Sequence, residues 1–250
     1  MSAHDLYLAE LAHELDLEDF DSSSTVVRIE PDRAGSNLIV GYAAGDRFIV
    51  RAAPEHEAIV QALASDSVAL SFDGLRQWAE TVGWVDFDGG RSHVIERSDL
   101  AEAAVPYGLD AVRLRPNVEP DTADRVRAFL STQDPEDVDA ADIYPDELDD
   151  RMFGLEASGR LVALASSLVY DQGPSFEDIG ILVAPSVRRR GVARALVGTL
   201  ANDIFDDGAY PLYRCNWSNE ASRRVALSLG FNEVLSLIAL CPADDPRAQH

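Results

Sequence analysis

The spacing of apolar positions changes period near residue 190. Ile179-Gly180-Ile181-Leu182-Val183 is a short apolar run of the kind buried in a sheet, and Ala184-Pro185-Ser186 ends it. From Gly191 the spacing is helical. Val192, Leu196, Leu200 and Ile204 form one row, Ala193, Val197, Ala201 and Phe205 the adjacent one, and Gly208 supplies the stop.

Upstream, leucines among acids predict an amphipathic helix over residues 5–18. Strands are expected at 25–29, 38–42 and 47–51, and helices from Pro54 to about residue 64 and over 72–82. Gly89-Gly90 reads as a turn. The stretch 100–108, with Pro106, is the expected boundary between a small α+β domain, 1–105, and a second domain, 106–250. There a strand at 111–115 precedes a helix over 123–130 that Asp121 is placed to cap. A hairpin follows over 151–156 and 161–170, then strands at 176–183 and 210–217. Asn219 is a good N-cap for a helix that Gly230 ends, and 231–240 is the last strand. The residues after Pro242 read as a loose tail. The fold class is α+β, with a mixed, mainly antiparallel sheet flanked by helices.

Composition narrows the partners. A net charge of −23 argues against nucleic acid or an anionic membrane. All 21 basic residues are Arg. Two cysteines make neither a disulfide framework nor a metal cluster, and four of the five histidines, His4, His13, His56 and His93, lack metal-site spacing, so no metal is expected. The N-terminus lacks a signal-peptide pattern and no run reaches membrane-spanning length, which reads as cytoplasmic.

Against this acidic background, Arg188, Arg189 and Arg190 stand directly before a helix. Cations there oppose the helix dipole unless an anion is present. A strand feeding a helix through a Gly-containing turn presents free backbone N–H groups, which bind phosphate. Gly191 lacks a Cβ and lets a ligand approach its backbone.

Arg188-x-x-Gly191-x-Ala193, after a strand ending Val183-Ala-Pro185, resembles the acyl-CoA-binding loop of the GNAT superfamily of N-acetyltransferases. Asn219-Glu-Ala-Ser222-Arg-Arg-Val-Ala226-Leu-Ser-Leu-Gly230-Phe231 resembles the family's Asn-to-Gly-Phe helix at the same spacing. The resemblance covers about residues 111–241. It implies an acetyltransferase-type fold and acetyl-CoA as acyl donor. The donor's contacts would come from Ile181, Leu182 and Val183 on the strand, Arg188, Arg189, Arg190, Gly191, Val192 and Ala193 at the turn, and Asn219 and Ser222 downstream. The first domain shows no counterpart of the turn; a degenerate acetyltransferase-like lobe is one reading of it.

Such an enzyme binds pyrophosphate, polarises a thioester carbonyl and receives an amine that has lost a proton. Glu177, fourteen residues before Gly191, is the first candidate base because that spacing resembles the family's protein-acetylating branch. Asp178 points to the opposite face of a regular strand, unless a bulge brings it to the cleft. The position often occupied by Tyr in the family is Ala226, which leaves the general acid unassigned among Tyr213, Cys215 and Ser222. The expected function is N-acyl transfer to a small-molecule or peptide amine, with a non-catalytic acyl-CoA sensor as the alternative. Residues 134–150 carry nine acids in seventeen positions, a field that favours a cationic acceptor.

Overall fold

The computed structural model describes residues 1–17, 25–65, 71–145, 148, 151–170 and 173–249. In chain order the helices are α1 (Ala3–Glu14), α2 (Glu57–Ser65), α3 (Phe72–Val82), α4 (Pro120–Leu130), α5 (Pro135–Ala140), α6 (Val192–Asp206) and α7 (Glu220–Leu229). The strands are β1 (Val26–Ile29), β2 (Ile39–Ala44), β3 (Arg47–Ala52), β4 (Trp84–Val94), β5 (Asp110–Leu114), β6 (Met152–Ala157), β7 (Arg160–Tyr170), β8 (Gly173–Val183), β9 (Tyr210–Asn216) and β10 (Asn232–Pro242).

The chain divides into two compact units. The first comprises Met1–Leu11, His93–Arg214 and Glu220–Asn232; the second comprises Ala12–Ser92, Cys215–Asn219 and Glu233–His250. The expected boundary at 105/106 lies inside the first unit. Strand pairing joins segments distant in sequence, and a composition shift does not report that.

In the first unit the strand order is β9-β8-β7-β6-β5. β5 to β8 form an antiparallel meander, and β8 pairs with β9 in parallel. A parallel neighbour requires a crossover, and α6 supplies it. All four members of its first apolar row, Val192, Leu196, Leu200 and Ile204, are buried. The opposite side of β8 meets a core of Leu114, Val126, Phe129, Leu130, Ala141, Ile143, Met152, Leu164 and Leu182. Gly180 is necessary there, since a Cβ would lie 2.1 Å from the Ala141 carbonyl oxygen.

α4 begins at Pro120 with Glu119 as N-cap, so Asp121 sits inside the first turn instead of capping it. Proline suits that position because the N–H it lacks would be unbonded there anyway. Within the acidic stretch, Asp134 caps α5 by accepting from the Glu136 amide at 3.0 Å.

In the second unit the order is β1-β3-β2-β10-β4. β1 runs parallel to β3, and β2 pairs antiparallel with both β3 and β10. Its core gathers Ile39, Phe48, Val50, Ala52, Val60, Leu75, Ala79, Ile238 and Leu240. Two expectations are corrected here. Gly89-Gly90 lies within β4 and is not a turn. A Cβ on Gly90 would sit 2.3 Å from the Cys215 carbonyl oxygen, and one on Gly89 would sit 2.7 Å from the Trp217 indole nitrogen, so these glycines admit close neighbours. The segment after Pro242 is also anchored: Ala243 N–H donates to the Gly83 carbonyl at 3.0 Å, and Arg247 bonds the Ser36 carbonyl and Asp245.

Candidate active site

The basic turn leaves β8 through a 3-10 turn, Pro185–Val187, and enters α6 at Gly191. Arg189 (φ 62°) and Gly191 (φ 78°) are both left-handed, two positions apart. Such alternation converges successive amides into an anion-binding nest. No side chain caps α6, so its first-turn N–H groups stay available. A Cβ placed on Gly191 would meet nothing within 4 Å. Open space, convergent amides and the positive end of a helix together fit a pyrophosphate.

The three arginines do not act alike. Arg188 is tied back, with Nε donating to the Val183 carbonyl at 2.9 Å and Nη2 to Asp137 Oδ2 at 2.6 Å. It braces the turn against α5. Arg189 and Arg190 are exposed. Arg194, one turn on, bonds the Glu102 carbonyl at 2.8 Å and reaches the Ser228 carbonyl at 3.4 Å.

β8 and β9 form a fork. Their parallel pairing consists of Phe176↔Tyr210, Glu177↔Pro211 and Asp178↔Leu212. β8 continues to Val183 beyond that register, so among the described residues no pairing with β9 extends along Ile179, Gly180, Ile181 and Leu182. An extended backbone with free N–H and C=O groups can bond an amide-containing chain and polarise a carbonyl. Val192 is buried beneath the turn and Ala193 is half-buried. A buried apolar side chain cannot bond phosphate, so at these two positions only backbone could.

The two candidate bases occupy opposite faces of β8, as strand alternation requires. Glu177 Oε2 accepts from Ser167 Oγ at 2.6 Å and from Arg151 Nε at 2.9 Å. Arg151 also pairs with Asp203 at 2.5 Å and with Asp207, both at the far end of α6 from the turn. Burial opposes the Arg151 charge, but Asp207, Glu177 and Asp203 hold it above its ordinary pKa. Glu177 is thus one corner of a clamp between sheet and helix.

Asp178 shares the face of Leu182 and stands in the last pair before the fork. Burial pushes its pKa up, and Arg214 opposes that rise, with Nε donating to Asp178 Oδ2 at 2.6 Å. Its Oδ1 is buried and has no partner among the described residues. Burial likewise opposes the Arg214 charge, yet Asp178 keeps its pKa raised. The guanidinium lies 5.1 Å from the centroid of Tyr170, and Tyr170 stacks on Tyr7 at 6.3 Å.

Residues 122–231 match a family model described as the acetyltransferase (GNAT) family. Over these residues the chain is similar to that family. A GCN5-related N-acetyltransferase from Kribbella flavida has the same fold, with a TM-score of 0.51 at 17% identity over 77% of this chain and 76% of that one. A GNAT-family acetyltransferase from Colwellia psychrerythraea aligns with a TM-score of 0.47 at 15% identity, over 63% of this chain and 56% of that one. A GCN5-related N-acetyltransferase from Sphaerobacter thermophilus gives 0.49 at 17%, over 69% and 56%. The chain therefore spans little more than half the length of two of these proteins. No curated protein matches it.

Within the matched residues the downstream motif is built as follows. Ser222 Oγ lies 2.8 Å from the Tyr213 hydroxyl. Tyr213 is buried and packs edge-on against Phe231 at 5.8 Å, which couples β9 to the end of α7. Ala226 is buried, and its carbonyl accepts from Phe231 N–H at 3.1 Å. Asn219 immediately precedes α7, and its N–H donates to the Asn216 carbonyl at 3.0 Å. Cys215 is buried and unoxidised. Among the described residues no group of three or more His, Cys, Asp or Glu is arranged to hold a metal, and no helix is long and apolar enough to cross a membrane.

Sequence reasoning missed Arg151, Arg214 and Tyr7. Arg214 is an isolated charge on an otherwise apolar strand, which was the available signal. Nothing local marks Tyr7, since it reaches Tyr170 and Phe176 only through the tertiary fold.

Proposed function

We propose that the GNAT domain transfers an acetyl group from acetyl-CoA to an amine. The observation that carries this reading is the β8–β9 fork opening directly after Asp178, on the strand that leads into the uncapped turn at Gly191. Pyrophosphate binds the amides of Gly191, Val192 and Ala193. The pantetheine arm extends along β8 from Val183 toward Ile179, and a backbone N–H there stabilises charge developing on the thioester oxygen.

The reaction forms one bond and breaks one. The amine nitrogen attacks the carbonyl carbon, a C–N bond forms, and the C–S bond breaks to release the coenzyme thiolate. Asp178 accepts the amine's proton. We assign the base to Asp178 rather than Glu177, because Glu177 is committed to Arg151 and Ser167 while Asp178 retains one unpartnered oxygen at the fork. A carboxylate whose pKa is raised by burial is also the stronger base. A thiolate of pKa ~8.5 departs without a dedicated acid, which suits a domain with Ala226 where the family often has Tyr.

Acids on the α5 side favour a cationic amine. Among the described members of that stretch, Asp137 is paired with Arg188 and Asp139 with the Tyr144 hydroxyl, which leaves Asp142 nearest in charge to Asp178. Asp146, Glu147, Asp149 and Asp150 lie outside the described residues. The test is release of free thiol from acetyl-CoA with cationic, neutral and acidic amines at low and high salt. Cationic amines should have the lowest KM, rising with salt as exposed charges are screened over ~8 Å at physiological ionic strength. No thiol release with any amine overturns the reading.

A further inference from the structure

Arg214 is a charged residue that the transfer chemistry does not use. Its side chain is 45% exposed, although its partner Asp178 is 14% exposed. Both Nε and Nη2 turn toward one oxygen, Asp178 Oδ2, at 2.6 Å. A guanidinium has five N–H donors, and Nη1 has no acceptor among the described residues. The group is also fixed in orientation: the Tyr170 ring lies beneath it, and Tyr7 of α1 backs that ring from the N-terminal segment of the same unit.

The pair therefore leaves two groups without partners among the described residues where the strands part: the buried Oδ1 of a carboxylate and the outer edge of an exposed guanidinium. Leu168 pairs with Asp178 across β7 and β8 and is 47% exposed, which places an apolar surface on the same face. A molecule that matches this arrangement carries an ammonium beside a carboxylate, with an aliphatic side chain. A simple diamine does not match it, because its second cation would meet Arg214.

We propose that Arg214 selects a free amino acid as acceptor, binding the acceptor's carboxylate while Asp178 receives the adjacent amine. This rests on the acetyl-transfer reading and names its substrate class. A guanidinium suits the task because its planar fork matches a carboxylate and its charge does not titrate. The basic amino acids satisfy both this requirement and the acidic surroundings.

The experiment compares each amino acid with its decarboxylated twin: lysine with cadaverine, ornithine with putrescine, arginine with agmatine. Thiol release from acetyl-CoA is followed for the wild type, Arg214→Gln and Arg214→Lys. In the wild type kcat/KM for the amino acid should exceed that of its twin by about tenfold or more, the scale of one charge-assisted hydrogen bond. Arg214→Gln should erase that ratio and Arg214→Lys should retain part of it. The ratio is the readout because losing the partner of Asp178 lowers both rates together. If Arg214→Gln does not fold, the wild-type ratio still decides: twins that react as well as their amino acids overturn the proposal. So does a ratio that Arg214→Gln leaves unchanged. Thiol release with neither class overturns the acetyl-transfer reading itself, and that outcome is distinct from turnover of diamines alone.

Discussion

Asp178 on β8 faces Leu212 on β9 as the last parallel pair before the two strands part. A parallel pair that stops after three residues exposes backbone that would otherwise be bonded. The residue at that point is Asp178, whose mostly buried carboxylate stands where the pairing ends. Position along the strand, more than carboxylate identity, therefore separates Asp178 from its neighbour Glu177.

The two acids should respond differently to removal. Asp178→Asn should lower kcat/KM by roughly 10²–10⁴ near neutral pH, the usual span for loss of general base catalysis. Activity should recover at high pH, where free amine is abundant. In the wild type the rate should fall on the acid side as pH drops through the Asp178 pKa, which lies above the ordinary carboxylate value because of burial. That limb should vanish in Asp178→Asn and persist in Glu177→Gln. A pH–rate profile of the three proteins checks this, and loss of the limb in Glu177→Gln alone would return the role to Glu177.

Gly191 separates backbone strain from occupancy of the phosphate site. Any L-residue there pays for φ 78°, on the order of 1–2 kcal/mol. Gly191→Ala should therefore lose about that much stability. Its affinity for coenzyme A should fall less than that of Gly191→Glu, since the added Cβ meets no protein atom within 4 Å and carries no charge. Gly191→Glu should lose similar stability but bind coenzyme A at least about tenfold more weakly, because the carboxylate repels the pyrophosphate. Thermal unfolding and calorimetry with coenzyme A, run on both variants, give the two readouts. A folded Gly191→Glu protein that binds normally would place the pyrophosphate elsewhere.

Arg151 should matter for stability before chemistry. Its side chain is 16% exposed and joins Glu177, Asp203 and Asp207. Arg151→Met leaves Glu177 and Asp203, both mostly buried, without this cation. Breaking a buried pair in this way costs on the order of 3 kcal/mol. Arg113 softens the loss, since it also pairs with Asp203 at 2.8 Å. Denaturant unfolding of Arg151→Met and of Arg151→Met/Glu177→Gln checks it: the second change should restore part of the stability by removing an unpaired charge.

The sequence by itself determined the local elements around the site and the chemistry of the turn. The switch from a sheet-like run to a helical period around Gly191 is a local signal, and β8 and α6 occupy the expected places because each is stabilised by one continuous apolar face. The uncapped helix start after Arg188, Arg189 and Arg190 was legible for the same reason, since it depends on local backbone. Alternation along one strand likewise put Glu177 and Asp178 on opposite faces. Only the tertiary structure decided which of them meets the fork, because that depends on where β9, some thirty residues away in sequence, stops pairing. It also decided that Arg151 claims Glu177, that Arg214 meets Asp178, and that Tyr7 reaches Tyr170. The same holds for Gly89-Gly90, which local preference reads as a turn and close backbone packing holds in a strand. Propensity and period act over a few residues, whereas partners are chosen by packing across the whole chain.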